Sequence, residues 1–471
     1  MKGSTSKKAT KLNLTNIKSV PIRTFWITSI AFFLCFFAWF GIVPFMPDVV
    51  RDLGLSPSEK WNAVVLAVTG TVFARLAIGK LCDRYGPRLC YTWLLIFGAI
   101  PVILTGFVQT PNQFLICRLL TGFIGASFVI TQVHTSLMFS SNIVGTANAT
   151  SAGWGNLGGG ANRLGMPLIA ALVIGFGVAE SSAWRYSVII AGILCFSMGI
   201  IYYFFTKDTP EGNFNEFTEG NVPKVKKDKV GFLTVLKDYR VWILFVVYAC
   251  CFGIELTVYG TMDDYLQNTF QLERITAGNI VLSFALMNIF ARTLGGVFGD
   301  KFGKLKGLRG RVLFLSFILV VQGVMLSSFS EINNLYIAIG FLILFSLAVQ
   351  MAEGATFSVV PFINKKAIGS ISGIVGAGGN VGAFLAAMLL KFKSGAAERA
   401  AISANEGLGQ DIMKSAQAAA SSQAVSEGYL FIGLVVVASG VVALGIRFSV
   451  KDENIVREEL RSSLNTRAVN A

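Results

Sequence analysis

Two arginines stand inside stretches whose apolar composition marks them as lipid-spanning helices. Arg75 lies in AVTGTVFARLAIGKLCDRYGPR and Arg292 in ALMNIFARTLGGVFGDKFGK. Each is followed at the eighth position by an aspartate, in the pattern Arg-x7-Asp-[Arg/Lys]-[Tyr/Phe]-Gly. The two copies keep one fixed offset, since 292 minus 75 equals 300 minus 83. A guanidinium at bilayer depth costs roughly 2.5–3.5 kcal/mol even on insertion scales, so two at matching positions call for a functional reason. The guanidinium is a planar fork of donors, weakly hydrated and shaped for a planar oxyanion. Neither arginine has a carboxylate close in sequence on its own helix, so an arriving anion can supply the counter-charge; the competing reading is a structural salt bridge to Glu255 or Glu353 on other helices. No nucleophile–base pair, metal-ligand cluster or phosphate loop accompanies them, which argues for binding without catalysis, cofactor or metal.

The elements that hold these arginines follow from composition. Of 471 residues, 54% are hydrophobic and only 14% charged, and the mean hydropathy is +0.63, far beyond the needs of one soluble core. Spans of about 20 residues suit a hydrocarbon core of about 30 Å, and only helices satisfy the backbone there. Twelve are expected, near 24–46, 60–80, 90–108, 112–138, 146–176 and 184–206, then 239–262, 275–298, 311–329, 333–358, 368–391 and 428–449. The fold class is an all-α membrane protein of two pseudo-symmetric six-helix halves. It divides into a tail (1–23), a first half (24–206), a linker rich in Pro, Gly and charge (207–238), a second half (239–450) with an external connection at 392–427, and a second tail (451–471). At a rise of about 1.5 Å per residue, each arginine lies about 12 Å from its loop aspartate, near the bilayer midplane where carriers of this build place their substrate.

The net charge of +14 is a matter of topology and does not point to nucleic acid. Of the 40 Lys and Arg, 27 fall in the tails and alternate loops on one side, which the positive-inside rule assigns to the cytoplasm together with both termini. The protein is expected to be a multi-pass protein of the cell membrane, with the basic side near anionic headgroups. The tail at 1–23 is too polar for a signal peptide, so the first span is expected to act as an uncleaved insertion signal. The seven cysteines form neither a disulfide framework nor a metal-ligand pattern. The single histidine, His134, sits late in the fourth span and reads as packing. Asn-x-Ser/Thr occurs at Asn13 and Asn148, neither clearly external.

Two further repeated features carry information. The loop Gly79-Lys-Leu-Cys-Asp83-Arg84-Tyr-Gly86-Pro-Arg88 and its degenerate copy ending in Asp300-Lys301-Phe-Gly303 can form charge locks, through Asp83, Arg84, Arg88 and Asp300, that rearrange as the halves move. The fifth span carries Asn156 among Gly153, Gly155 and Gly158, and the eleventh carries Asn380 among Gly376, Gly378, Gly379 and Gly382. Glycine runs let helices approach closely, and an amide among them offers a donor in a dry setting. The loop pair resembles the signature of the major facilitator superfamily. The glycine–asparagine runs resemble those of its nitrate/nitrite porter family, most like the eukaryotic and cyanobacterial high-affinity branch.

That resemblance implies a nitrate carrier, with nitrite as a second substrate, working by rocker-switch alternating access. It implies that Arg75 and Arg292 bind the anion, with Phe128 and Tyr248 as further matches in the spans and GIELT at 253–257 as a matching phrase. It leaves room for a single-span accessory subunit. Gln132 and Gln350 match across the repeat at nearly the arginine interval (350 minus 132, against 292 minus 75) and join the binding candidates. Arg163 departs from the branch, where an uncharged polar residue is expected, and reads as a paired or snorkelling residue near the outer end of its helix. Arg118 reads as an outer-face anchor. An inside-negative potential opposes anion uptake by about 2.3 kcal/mol per charge per 100 mV, so accumulation needs protons or an exchanged anion. The resemblance implies proton symport, with Glu255 and then Glu353 as carriers. The residues alone equally permit nitrate/nitrite exchange, a porter for small carboxylates such as formate or oxalate, or an anion-sensing receptor.

Overall fold

The computed structural model of the chain describes residues 8–216, 231–405 and 410–469. Part of the expected linker, 217–230, lies outside the described residues, as do residues 1–7, 406–409 and 470–471. Among the described residues the long elements are all helices, and eleven of them are long and apolar enough to cross a membrane. One of the eleven, Ile275–Ser330, crosses twice, because the backbone reverses at Lys306 and Gly307. Gly307 has φ +66°, left-handed backbone that glycine adopts without steric cost.

The crossings are α1 (Val20–Leu53), α2 (Ser58–Tyr85), α3 (Pro87–Thr105), α4 (Pro111–Met138), α5 (Val144–Gly175) and α6 (Glu180–Phe205). The second half holds α7 (Tyr239–Phe270), α8 and α9 (the limbs of Ile275–Ser330 before and after the reversal), α10 (Leu335–Phe362), α11 (Ile368–Ala404) and α12 (Gln410–Ala443). A last helix, α13 (Val450–Val469), follows. Sequence explains several starts: prolines open α3 and α4, where a missing N–H costs nothing. Ser56 and Glu59 form a capping box before α2. Large apolar side chains such as Phe73, Phe107, Leu168, Phe204 and Leu385 point outward, toward the expected lipid.

The stretch 392–427, expected as an external connection, is helical at every described residue except Asn405. α11 runs on to Ala404 and α12 begins at Gln410. Its abundant Ala, Gln, Glu and Lys are strong helix formers and carry both helices past their apolar parts. Lys393 and Glu427 pair across the two at 3.3 Å.

At the end that bears both termini the halves are tied by two matching sets of bonds. Asp83 accepts from Gly369 N (2.8 Å), Ser370 N (2.7 Å) and Ser370 Oγ (2.7 Å), capping the start of α11. Asp300 accepts from Gly145 N (3.1 Å), Thr146 N (2.6 Å) and Thr146 Oγ (2.7 Å), capping the start of α5. Helix N-termini present orphan N–H groups and a positive dipole end, so a carboxylate there is well satisfied. Arg311 adds a 2.6 Å bond to Asp300. Arg88 donates to Tyr203 O at 2.9 Å, in the last turn of the neighbouring helix α6 of its own half, whereas Arg84 lies over the Tyr85 ring; neither reaches across to the other half as Asp83 and Asp300 do. Their long side chains reach neighbouring aromatic surface more readily than the opposite half.

α13 straps the same face. Val456 and Leu460 pack with Val144 of the first half and Leu308 and Phe362 of the second. Glu453 accepts from the backbone N–H of Leu308 (3.2 Å) and Arg309 (3.0 Å). Glu459 bonds Ser141 on one half and Lys365 on the other. Burial raises the Glu459 carboxyl, but the bonds from Lys365 and Ser141 and the charges of Lys365 and Lys8 outweigh it and hold the group below the usual carboxylate range. A depressed pKa stabilises docking fully above the free value and loses that contribution as pH falls through the docked value. The strap is therefore expected to hold at neutral pH and to loosen below about pH 4, the ordinary glutamate range. Glu459→Gln should loosen it at pH 7: hydrogen exchange of amides in 450–460 should speed several-fold in the variant and match wild type in acid. Equal protection of both at pH 7 would remove Glu459 from the docking.

Candidate anion-binding site

Three helices lose regular geometry at the same depth, and the arginines lie there. α4 passes through a 3-10 turn at Gly122–Ala126, α7 through a π-helical turn at Ala249–Gly253, and α8 through a 3-10 turn at Met287–Ile289, just before Arg292. Such breaks free carbonyls from the i→i+4 ladder and re-aim side chains, and inside a membrane they persist only where protein or a cavity covers them. Arg75 uses one of these groups, donating from Nε to Gly125 O at 3.0 Å.

The two arginines are equivalent in sequence and unlike in surroundings. Arg292 is closely partnered: it makes an ionic contact with Glu353 of α10 and lies 3.7 Å from Glu255 of α7, with its Nε left without a hydrogen bond. With its amide oxygen turned to the guanidinium, Asn156 accepts from Nη1 and Nη2 of Arg292 at 2.5 and 3.0 Å. Asn288 donates to Glu255 at 2.8 Å, fixing that carboxylate in turn. The salt-bridge reading thus holds for Arg292, whose counter-charges come from other helices.

Arg75 pairs with no carboxylate among the described residues. Besides Gly125 O, it donates from Nη1 to Gly376 O of α11 at 2.5 Å, while Nη2 is buried without a partner. Asn380 lies one turn beyond Gly376 on α11, fully buried with both amide atoms unpartnered. The Tyr248 hydroxyl on α7 is buried and unpartnered as well. Three donors, Arg75 Nη2, Asn380 Nδ2 and Tyr248 Oη, are thus left unused where α2, α7 and α11 meet. An unmade buried bond costs about 1–3 kcal/mol, so three together are hard to explain without a ligand.

Aromatic rings wall this crevice. Phe128 stacks on Tyr248 with centroids 5.6 Å apart, Tyr248 stacks on Phe252 at 5.4 Å, and the edge of Phe357 closes on Phe128 at 4.9 Å. The Arg75 guanidinium carbon lies 5.1 Å from the Phe128 centroid and 5.6 Å from that of Phe252; the Arg292 guanidinium lies 5.9 Å from the same Phe252 ring. Phe252 therefore bridges the two cations. Phe252 and Phe357 were missed from sequence, although each follows a candidate, Tyr248 and Glu353, by one helical turn. Gln132 and Gln350 are buried but donate to helix carbonyls, Asn148 O at 3.3 Å and Phe284 O at 3.2 Å. His134 is occupied structurally, between Tyr202 Oη and Lys207 O at 2.6 Å each.

The glycines set the separations. A Cβ on Gly379 would stand 2.6 Å from Phe252 Cδ1 and 3.0 Å from Tyr248 Cδ1, and one on Gly153 would stand 2.6 Å from Asn288 O. Gly155 and Gly158 pack against α1, Gly378 and Gly382 against α7, and Gly376 beside Arg75 and Phe128. A cavity of about 350 Å³ lies between the halves, bounded by Asn156, Phe252, Glu255 and Asn288 and reaching toward Tyr259 and Leu164, away from the tied end. Its walls are apolar, including Phe36, Leu157, Leu256 and Leu286.

Two helical bundles with a dry cationic site between them, tied at one end and hollow on the other side, make a carrier for a small anion. A family profile described as Major Facilitator Superfamily matches residues 28–387. The "High affinity nitrate transporter 2.5" of Arabidopsis thaliana is 38% identical over 384 residues, covering 81% of this chain and 76% of its own. The "Nitrate transporter 2.2" of Chlamydomonas reinhardtii is 36% identical, covering 77% of this chain and 71% of its own. The "Nitrate/nitrite transporter NrtP" of a Picosynechococcus strain is 31% identical, covering 77% and 84%. Among solved structures, a bacterial homolog of the human lysosomal transporter Spinster, inward-facing and unoccupied, superposes with a TM-score of 0.62 at 14% identity over 95% of this chain and 98% of its own, which speaks for the fold alone. The chain belongs to the major facilitator superfamily, in its nitrate/nitrite porter family.

Replacement of Gly379 by alanine tests whether the ring spacing makes the site. Overpacking of this kind costs about 1–3 kcal/mol, so Gly379→Ala should weaken anion binding about tenfold or more. Gly160→Ala, whose Cβ would meet only Ala285 at 3.8 Å, should be neutral. Anion-dependent protection from thermal unfolding in detergent reads both; equal protection of the two variants would mean that the rings do not shape the site.

Proposed function

We propose that this protein carries nitrate, and nitrite as a second substrate, across the cell membrane, with both termini in the cytoplasm. The observation that carries the reading is the set of unused donors around Arg75. A planar trigonal anion can take bonds from Arg75 Nη2, Asn380 Nδ2 and Tyr248 Oη while the rings of Phe128 and Phe252 exclude water and larger anions. The names of the relatives supply the anion. The ties of Asp83 and Asp300 support a closed cytoplasmic end, with the cavity facing outward; anion binding then draws the halves together over it and the ties yield on the other side.

Charge balance supports proton coupling. The buried centre holds Arg75, Arg292, Glu255 and Glu353, two positive and two negative groups that sum to zero. Adding an anion leaves one uncompensated negative charge in a low-dielectric interior, which is costly. A proton on Glu353, released from its pairing with Arg292, restores neutrality, and the loaded carrier then moves without opposition from the membrane potential. Glu255, 3.7 Å from Arg292 and bonded by Asn288, is the other candidate.

In liposomes with an inward proton gradient and no internal anion, wild type should accumulate nitrate and Arg75→Lys should not, because lysine keeps the charge and loses the fork. Uptake only after nitrite is loaded inside would make the protein an exchanger; uptake of formate in place of nitrate would make it a carboxylate porter. For coupling, wild-type uptake should fall as external pH rises, whereas Glu353→Gln should bind nitrate with uptake independent of the proton gradient. A Glu353→Gln variant with wild-type pH dependence would move the coupling elsewhere.

A further inference from the structure

Arg163 is a cation beside the cavity that the mechanism above leaves unused. It lies on α5 two turns beyond Asn156, about 10 Å of helix rise farther from the tied end, at the level of the cavity mouth. Its side chain keeps 35% exposure, a value that leaves the guanidinium open to solvent and solutes. The guanidinium lies 4.7 Å over the Tyr259 ring, and Nη1 is 3.6 Å from Asp263 Oδ2, beyond hydrogen-bond reach. Among the described residues no hydrogen bond engages any of its donors. The facing groups on α7 are in the same condition: the Tyr259 hydroxyl and Asp263 Oδ1 are buried without partners. Tyr259 and Asp263 stand one turn apart on α7, so both face Arg163 across the gap between the halves. Tyr259 and Leu164 line the cavity itself.

A purely structural ion pair would be expected to close to hydrogen-bond distance, as Asp300 and Arg311 do at 2.6 Å within the second half. Arg163 instead rests on an aromatic face with its donors unspent, at the entrance of a cavity whose deeper walls are apolar. Its unspent donors and the local positive field on their side of the pair can meet an anion entering such a mouth. Nearby Asp263 keeps the pair neutral and the attraction modest, which suits a stopping place more than a tight site.

We propose that Arg163 and Tyr259 form an outer docking station for a monovalent oxyanion, occupied before the anion reaches Arg75. Asp263 takes the Arg163 guanidinium once the anion has moved inward, and the closed pair draws α5 and α7 together behind it. The station rests on the reading of the protein as a nitrate carrier.

Initial rates of nitrate uptake into liposomes, measured against nitrate concentration at low and high sodium gluconate, test it with wild type, Arg163→Gln, Arg163→Lys and Asp263→Asn. Arg163→Gln should raise KM about five- to tenfold with maximal rate within about twofold of wild type, and should flatten the salt dependence of uptake at low nitrate. Arg163→Lys should keep most of the low KM and the salt dependence, which separates lost charge from lost folding. Asp263→Asn should lower KM and slow the maximal rate, because the closing partner is gone. If wild type takes up nitrate but Arg163→Gln keeps both KM and salt dependence, or loses maximal rate alone, Arg163 is a structural pair and the station is overturned. If wild type takes up none, the carrier reading itself fails, and the station falls with it.

Discussion

A guanidinium that must stay charged in a dry interior has to be compensated, and among the described residues the two at the centre are compensated unequally. Arg292 has Glu353, Glu255 and Asn156 around it, whereas Arg75 is held by the carbonyls of Gly125 and Gly376 and by aromatic faces. Carbonyl dipoles and ring quadrupoles orient a cation without neutralising it. The breaks in α4 and α7 serve this demand in part, the 3-10 turn supplying Gly125 O and the π-helical turn placing Phe252, while Gly376 O belongs to the regular helix α11. The glycines of α5 and α11 serve it too: a crevice small enough to stay dry needs helix backbones in near contact.

The duplication sets the frame, and departures from it set the function. The ties at the closed end obey the repeat: Gly145 and Thr146 stand to Gly369 and Ser370 as Asn156 stands to Asn380, since 369 minus 145 equals 380 minus 156. Symmetric ties suit a symmetric motion, because both must yield together for that end to open. At the centre the symmetry fails, since Asn156 is spent on Arg292 while Asn380 is not spent on Arg75. A symmetric pair of bare arginines would repel each other and bind an anion between them. On the reading proposed above, the asymmetric pair binds beside one arginine and keeps the other as the seat of a carboxylate.

The arginine–aspartate repeat, the twelve crossings and the paired asparagines were legible in the sequence because each rests on local pattern: hydropathy over about 20 residues, or identical residues at a fixed offset. The carboxylate contacts of Arg292 were legible only as an alternative, since Glu255 and Glu353 reach it from two other helices and spacing along the chain does not rank them. Phe252 escaped because a phenylalanine among 39 is unremarkable until a π-helical turn aims it between two cations. The helical course of 392–404 and of 410–427 was obscured by polarity, which marks the end of the apolar run but not the end of the helix. Arg163 stood out as a departure, and only its geometry shows that its donors are unspent.

Neutrality of the empty centre bears on the return half of the cycle. A carrier that holds Arg75, Arg292, Glu255 and Glu353 all ionised crosses the membrane field with no net charge in its core, so the potential neither drives nor resists its reorientation. If Glu353 kept its proton on the way back, the empty core would be positive by one unit, and an inside-negative potential would hold it facing inward. In the coupling proposed above, release of the anion inside removes the charge that the proton balanced, and Glu353 returns to its contact with Arg292. Under that coupling, anion release and proton release are linked through a single guanidinium. Arg292 then clears the proton while Arg75 binds the anion, which would be a physical reason for keeping two arginines where one would suffice to bind.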